Sequence, residues 1–187
     1  PAHDENVSHP TYLSDGPQLK FVAGNRIAAG GRVLKIDSGL SVAVIVRFAN
    51  DAPSRTPLLS LLSNNETRLD LYTASNHSDT AGTNNSGTVA RFWRFDLRDN
   101  NGVVLCEATS TKPLLLDKNY HILVLYSRVQ NTVNFNANFV DDEVACTGVV
   151  GTSGQALIEI PTDRVHIETT GSITGLYVVD DLMSMQH

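Results

Sequence analysis

Two segments of the sequence place charged or carboxamide side chains at every second position, between apolar residues. The first row is Arg94, Asp96 and Arg98, and the second row is Asn134, Asn136 and Asn138. Successive side chains of a β-strand point to opposite faces, so each row shares one face of its strand. Such groups offer fixed hydrogen-bond donors and acceptors, which makes these six residues the predicted ligand-binding set. We expect one polar groove if the two strands belong to the same sheet.

Other residues extend or compete with this prediction. Phe92 and Tyr72 are aromatic residues that are able to stack on a ligand beside the first row. The polar loop 74–88 is a second candidate site, because loops at the rim of a β-sandwich carry much of its binding variation. The alternative for both rows is that they face bulk solvent or pair with one another, since half-exposed sheets always have a polar face.

No arrangement of residues predicts catalysis. The sequence has neither a Gly-x-Ser-x-Gly elbow nor a phosphate-binding loop. Asp96 lies two residues from Arg94 and from Arg98 on the same strand face, which favours an ion pair over a catalytic carboxylate. His121 and Tyr126 fall on opposite faces of one strand by their spacing. We therefore expect no catalytic residue, no cofactor and no enzymatic activity.

Neither the acidic residues nor the cysteines predict a metal site. Asp141 and Asp142, next to Glu143, are oxygen ligands of the kind that hard cations prefer, but a solvated acidic turn is the favoured interpretation. Cys106 and Cys146 both lie in strand-like segments. They either form a disulfide across a sheet or are two buried free thiols, and no neighbouring Cys or His completes a zinc ligand set.

The elements that carry these residues are short strands separated by Gly, Asn, Asp, Ser and Pro. The predicted strands are 19–22, 33–36, 40–48, 58–62, 68–73, 89–98, 103–108, 121–128, 133–140, 143–150, 156–160, 165–168 and 175–179. Because no segment has a useful helical period, the pattern predicts an all-β, two-sheet antiparallel sandwich. Its core is expected to contain Trp93, Phe95 and Leu97, packed against the apolar faces of 40–48 and 133–139. We expect residues 1–17 to form an arm or linker and residues 18–187 to form a single sandwich domain.

Composition limits the classes of partner. The chain has 187 residues, of which 41% are hydrophobic and only 18% are charged, and its formal net charge is −6. A mildly acidic surface disfavours binding to nucleic acid or to an anionic membrane. No apolar run has the length needed to cross a bilayer, so no membrane insertion is expected.

Four Asn-x-Ser/Thr sequons exceed the two or three expected by chance, which favours secretion. They begin at Asn6, Asn65, Asn76 and Asn84. Asn65, Asn76 and Asn84 are the predicted glycosylation sites, and we expect an extracellular or surface-exposed protein.

The order of the segments resembles the concanavalin A-like, laminin-G-like jelly-roll superfamily. The resemblance covers roughly residues 19–183 and includes the segments LKFVAGNRI, LSVAVIVRF, PLLSL, LDKNYHILVLY and GSITGLYVVDDLMS. The chain departs from the usual pattern at Tyr120, where Trp is common, and at Asp141-Asp142, where Asp-Gly is common. The second departure predicts a longer or bulged turn, because it removes the glycine of a tight hairpin.

The resemblance implies binding of carbohydrate. The favoured function is a non-catalytic, lectin-like recognition domain, because hydrolases of this fold tend to carry Glu-x-Asp-x-x-Glu and this sequence lacks that motif. The alternative is a protein-binding adhesion or assembly domain, such as the head of a surface or virion protein. A glycanase or polysaccharide lyase ranks third. The expected partner is a glycan or a surface protein, and the domain is able to form an oligomer in either case.

Overall fold

Alternation of apolar and polar residues produces strands throughout the chain. A computed structural model describes residues 11–12, 18–22, 24–31, 33–75, 90–148 and 158–182. Within these ranges all regular secondary structure is β-strand. The strands are β1 (Thr11–Tyr12), β2 (Leu19–Phe21), β3 (Arg26–Gly30), β4 (Val33–Ile36), β5 (Gly39–Phe48), β6 (Arg55–Ser63), β7 (Glu66–Ser75), β8 (Arg91–Arg98), β9 (Val104–Thr109), β10 (Asn119–Ser127), β11 (Thr132–Ala137), β12 (Glu143–Ala145), β13 (Ile158–Pro161), β14 (Arg164–Glu168) and β15 (Gly171–Val179).

The strands form two large antiparallel sheets. One sheet has seven strands in the order β1-β2-β15-β5-β10-β11-β12, and the other has six in the order β3-β14-β6-β7-β8-β9. A separate two-stranded ribbon pairs β4 with β13. Long-range neighbours such as β15 and β5 are hydrogen-bonded, which is characteristic of a jelly roll rather than of a simple meander. The predicted all-β, two-sheet sandwich is therefore confirmed.

The core lies between the two sheets. Trp93, Phe95 and Leu97 of β8 are almost completely buried, as are Val133 and Phe135 of β11. Aromatic contacts join the sheets directly. The ring of Phe95 lies 5.9 Å from that of Tyr126, and the ring of Phe48 lies 5.5 Å from that of Trp93.

One edge of the sandwich is fastened covalently. Cys106 lies on β9 of the six-stranded sheet, and Cys146 follows β12 of the seven-stranded sheet; the two form a disulfide. Beside it, Glu107 and Thr147 exchange two backbone hydrogen bonds of 2.8 and 2.9 Å. The last strands of both sheets are thus joined at this edge.

The β11–β12 hairpin differs from its prediction. Its turn is the two-residue pair Asn138-Phe139, with φ values of 51° and 66°, and Ala137 and Val140 exchange backbone hydrogen bonds across it. The prediction of a longer or bulged turn at Asp141-Asp142 is wrong, because Asn138 adopts the left-handed conformation that a tight turn requires. Phe139 was also predicted to lie in the core, but its side chain is 89% exposed.

Candidate functional site

The two predicted rows do not form one groove. Arg94, Asp96 and Arg98 lie on β8 in the six-stranded sheet, whereas Asn134 and Asn136 lie on β11 in the seven-stranded sheet. On each strand the neighbouring apolar residues face the shared core. The two rows therefore face away from each other on opposite sides of the sandwich, and the condition that they share a sheet is not met.

The asparagine row is occupied by contacts within its own hairpin. Asn136 is only 6% exposed, and its Nδ2 donates to Oδ1 of Asp141 at 2.6 Å. Asn134 Nδ2 donates to the same oxygen at 3.0 Å. Asn138 lies in the turn, where its Oδ1 accepts a hydrogen bond from the backbone N–H of His121 at 2.8 Å. These contacts fix the hairpin and leave few polar atoms for a ligand.

The acidic residues of the same hairpin are also structural. Asp142 is buried, and its carboxylate accepts hydrogen bonds from the backbone N–H and the hydroxyl of Thr111 and from the backbone N–H of Lys112. The prediction of a solvated turn is wrong for Asp142, since it anchors the loop that follows β9. In the described part of the chain, no group of three or more His, Cys, Asp and Glu side chains is arranged to hold a metal ion.

A row of polar residues crosses the outer face of the six-stranded sheet. Ser60, Asp70, Asp96 and Glu107 are successive cross-strand partners on β6, β7, β8 and β9. Carboxylates placed directly opposite one another repel, so each needs a partner of its own. We call this surface, together with Arg55, Tyr72, Arg94 and Arg98, the arginine–carboxylate face.

Each carboxylate of this face has a different partner. Arg55 forms a salt bridge with Asp70, which also accepts a hydrogen bond of 2.8 Å from the hydroxyl of Ser60. Arg98 lies 3.0 Å from Glu107. Asp96 accepts a hydrogen bond of 3.2 Å from the hydroxyl of Tyr72, which the sequence did not indicate, and the nearby charge of Arg98 also stabilises its carboxylate.

Burial has the largest effect on the titration of the central pair. It raises the pKa of Asp96 above its ordinary value, with help from the nearby charges of Glu107 and Asp70 and against the stabilising hydrogen bond from Tyr72. Burial and the charge of Asp96 likewise raise the pKa of the Tyr72 phenol. Arg55 stacks over the Tyr72 ring, with 4.1 Å between the guanidinium carbon and the ring centroid.

A depression of about 360 Å³ opens beside these groups. Its walls are Tyr72, Arg94, Asp96, Glu107, Ala108, Thr109, Ala145 and Thr147. The predicted residues Arg94 and Asp96 thus line it, and Glu107 and the two threonines were not predicted. Glu107 alternates with the buried residues Cys106 and Ala108, so the two-residue period already marks it as outward-facing.

The outer face of the seven-stranded sheet has a different chemistry. A groove of about 380 Å³ runs over Ala43, Ile45, Leu123 and Gly175. Tyr177, 69% exposed, and Phe139, 89% exposed, line it, as do His121 and Asn136. We call it the aromatic groove. Cross-strand pairing places Tyr177, Ala43, Leu123 and Asn136 in one line across four strands.

The remaining sequence predictions have separate outcomes. His121 is exposed and Tyr126 is buried, in agreement with their predicted opposite faces. Asn65 is exposed in the turn between β6 and β7, and its glycosylation stays a prediction. Asn76, Asn84 and most of the candidate loop 74–88 lie outside the described residues. Within the described ranges, no helix is long and apolar enough to cross a membrane.

Comparison with solved structures identifies the fold. A heptameric SAP-like pentraxin from Limulus polyphemus superimposes with a TM-score of 0.57 over 95% of this chain and 76% of the pentraxin, at 15% identity. The sialidase of Trypanosoma rangeli superimposes with a TM-score of 0.53 over 96% of this chain, at 14% identity, but the match covers only 27% of the sialidase. The fold is a jelly-roll, concanavalin A-like β-sandwich, as the order of the segments predicts. No protein-family model and no curated protein sequence matches the chain.

Proposed function

We propose that this chain is a lectin-like, carbohydrate-binding domain without catalytic activity, and that the depression on the arginine–carboxylate face is its glycan site. One observation carries the proposal. Arg94, Asp96 and Glu107 surround a depression within the size range of small-ligand sites, and neighbouring side chains hold the two carboxylates in place. Charged donors and acceptors in fixed positions discriminate between arrangements of sugar hydroxyls.

The test is a glycan array followed by titration of the best ligand. Arg94→Ala is expected to weaken binding by about tenfold or more, because it removes a charge-assisted hydrogen-bond donor from the depression. Arg164→Ala is the matched control, since it removes the same charge from an exposed position at the end of β14. Silence across the array, or equal losses in the two variants, contradicts the proposal.

The non-catalytic part of the proposal has its own support and test. The sequence lacks the Glu-x-Asp-x-x-Glu motif that hydrolases of this fold tend to carry. Incubation with polysaccharides should therefore release no product. Cleavage that is lost in Asp96→Asn but kept in Glu168→Gln would identify an enzyme instead.

The aromatic groove favours a second candidate function, which is assembly with another copy of the chain. Phe139 is exposed although its φ of 66° is unfavourable for a side chain of this size, so it costs folding energy without contributing to the core. The pentraxin of the same fold is described as heptameric. Sedimentation velocity should detect an oligomer that Phe139→Ser and Tyr177→Ser abolish and that Val129→Ser, at another exposed apolar residue, leaves intact.

We also propose an extracellular or surface location. The disulfide between Cys106 and Cys146 supports it, because such bonds persist in oxidising compartments. Recovery of the pair as free thiols from the native source would argue against it.

A further inference from the structure

The depression on the arginine–carboxylate face is built around the two cysteines. Five of its eight wall residues are within three positions of Cys106 or Cys146; they are Glu107, Ala108, Thr109, Ala145 and Thr147. The first three belong to β9 of the six-stranded sheet, whereas Ala145 ends β12 of the seven-stranded sheet and Thr147 follows it. The depression therefore spans the junction of the two sheets, and its shape depends on how their edges are held together.

The disulfide and one exposed residue pair join the two edges beside the depression. Glu107 and Thr147 exchange two backbone hydrogen bonds, and the hydroxyl of Thr147 donates a third, of 3.0 Å, to the carbonyl oxygen of Glu107. The pair is a single bridge outside the strand ladders, and both residues are exposed. Water competes for hydrogen bonds at such a position, so the disulfide is the contact that water cannot replace.

A second anchor at the same edge keeps the domain folded without the disulfide. The buried carboxylate of Asp142 accepts hydrogen bonds from Thr111 and Lys112, which ties the loop after β9 to the start of β12. In addition, β9 remains paired with β8, and β12 remains paired with β11. Loss of the disulfide thus lets the two edges part at Thr147, with Asp142 as the pivot, while the strands of each sheet stay in place.

We propose that the redox state of Cys106 and Cys146 controls glycan binding at this depression, so that the disulfide form binds and the dithiol form does not. This inference rests on the proposed function. A small dithiol reductant breaks the S–S bond and delivers one electron and one proton to each sulfur, and the reductant becomes a disulfide itself. Two thiol sulfurs keep a van der Waals separation that is longer than a covalent bond, so the wall formed by Ala145 and Thr147 moves away from β9. In an oxidising compartment the site is in its binding form.

The test compares oxidised protein with protein reduced by dithiothreitol, titrated with the best ligand from the glycan array. Alkylation and mass spectrometry of an aliquot should count two free thiols, and circular dichroism should show that the reduced domain is still folded. We expect the affinity of the reduced protein to be at least tenfold lower. The double variant Cys106→Ala with Cys146→Ala should bind equally weakly with and without dithiothreitol; if it fails to fold, the reduced wild type decides alone. Equal affinity of the oxidised and reduced protein, or unfolding on reduction, overturns the proposal.

Two further measurements separate this inference from a general loss of stability and from the proposed function. Asn136→Ala should weaken the fold from the opposite side of the sandwich and leave glycan affinity unchanged. Amide hydrogen exchange needs no ligand: reduction should remove the protection of the Glu107 and Thr147 N–H groups and leave that of β8, and protection that persists at both groups refutes the opening of the edge. Binding that depends on Arg94 and survives reduction refutes this inference alone. Absence of binding by the oxidised protein refutes the proposed function, and the exchange experiment still decides whether the edge opens.

Discussion

The phenolic oxygen of Tyr72 lies 3.2 Å from Oδ2 of Asp96, across neighbouring strands on the outer face of the six-stranded sheet. This bond joins an aromatic ring to the central carboxylate of a row in which Asp70 and Glu107 lie directly to either side. The bond gives Asp96 a fixed orientation, and partial burial makes its charge unfavourable.

The raised pKa of Asp96 predicts a specific dependence of stability on pH. The folded state holds the Asp96 proton more tightly than the unfolded state does, so this residue favours folding below about pH 4 and loses that contribution as pH rises through the folded pKa. Asp96→Asn keeps an oxygen that accepts from Tyr72 and has no proton to lose. The urea midpoint of the wild type should therefore fall relative to that of Asp96→Asn between about pH 4 and pH 7.

Asp99→Asn is the control for this measurement, because it removes a carboxylate from the turn after β8 and outside the row. The difference in urea midpoint between the wild type and Asp96→Asn should change as the pH rises, with the wild type losing stability relative to the variant. The difference between the wild type and Asp99→Asn should not change in this direction. Parallel curves for wild type and Asp96→Asn would show that the Asp96 carboxylate titrates normally.

Asn136 is predicted to stabilise the fold rather than to bind a ligand. Asn136→Ala removes a hydrogen bond to a charged oxygen from a buried position and should lower the free energy of unfolding by about 1.5–3 kcal/mol. Glycan affinity should stay at the wild-type value, because Asn136 and Arg94 lie on opposite sides of the sandwich. Denaturant unfolding and glycan titration of the same sample measure both. If Asn136→Ala loses glycan affinity but keeps the stability of the wild type, the glycan site includes the asparagine row and this prediction is wrong.

Phe139→Gly is predicted to stabilise the domain while damaging the aromatic groove. Glycine adopts a positive φ without steric cost, and Asn-Gly is the preferred pair for a two-residue hairpin turn of this kind. The gain should be about 1 kcal/mol in the free energy of unfolding. Val129→Gly changes an exposed residue without a positive φ and should give no gain. If Phe139→Gly destabilises the protein, the turn is not under strain.

The disulfide should contribute substantially to stability. It links residues 40 positions apart, for which loop-closure entropy in the unfolded chain gives about 4 kcal/mol as an upper value. The double variant Cys106→Ala with Cys146→Ala is expected to unfold at a lower urea concentration by a corresponding amount. Added dithiothreitol should lower the midpoint of the wild type and leave that of the variant unchanged. An unchanged midpoint in the double variant would show that the hydrogen bonds between Glu107 and Thr147 hold the edge alone.

Local patterns in the sequence were sufficient to predict most of the fold. The strand β8 alternates strictly, so its inner and outer faces follow from the residue order alone. The strand β3 was not predicted, because Arg26–Gly30 contains two alanines and a glycine and only one β-branched residue. It forms because β14 offers it a complete set of backbone partners, which is a tertiary effect.

The candidate site was less predictable, because it depends on which strands become neighbours. Alternation shows that Arg94 and Asn136 lie on the faces of their strands that point away from the core. It does not show that the two strands belong to different sheets. The hydroxyl that donates a hydrogen bond to Asp96 belongs to Tyr72 on the neighbouring strand β7. Similarly, the turn at Asn138-Phe139 places Asp141 opposite Asn136. The sequence did not predict a turn at this position, because neither turn residue is a glycine.

The joined edge formed by Glu107 and Thr147 has a consequence for behaviour at high concentration. A strand from another molecule adds to the edge of a sheet by hydrogen-bonding to unpaired backbone groups. At this edge the backbone N–H and C=O of Glu107 are already hydrogen-bonded to Thr147. At the opposite end of the same sheet, β14 is the one strand among the described residues that is hydrogen-bonded to Arg26–Gly30. Growth of fibrils by strand addition to the six-stranded sheet should therefore start from that end, which makes Arg26–Gly30 the place where a single proline or lysine would best protect the protein during storage.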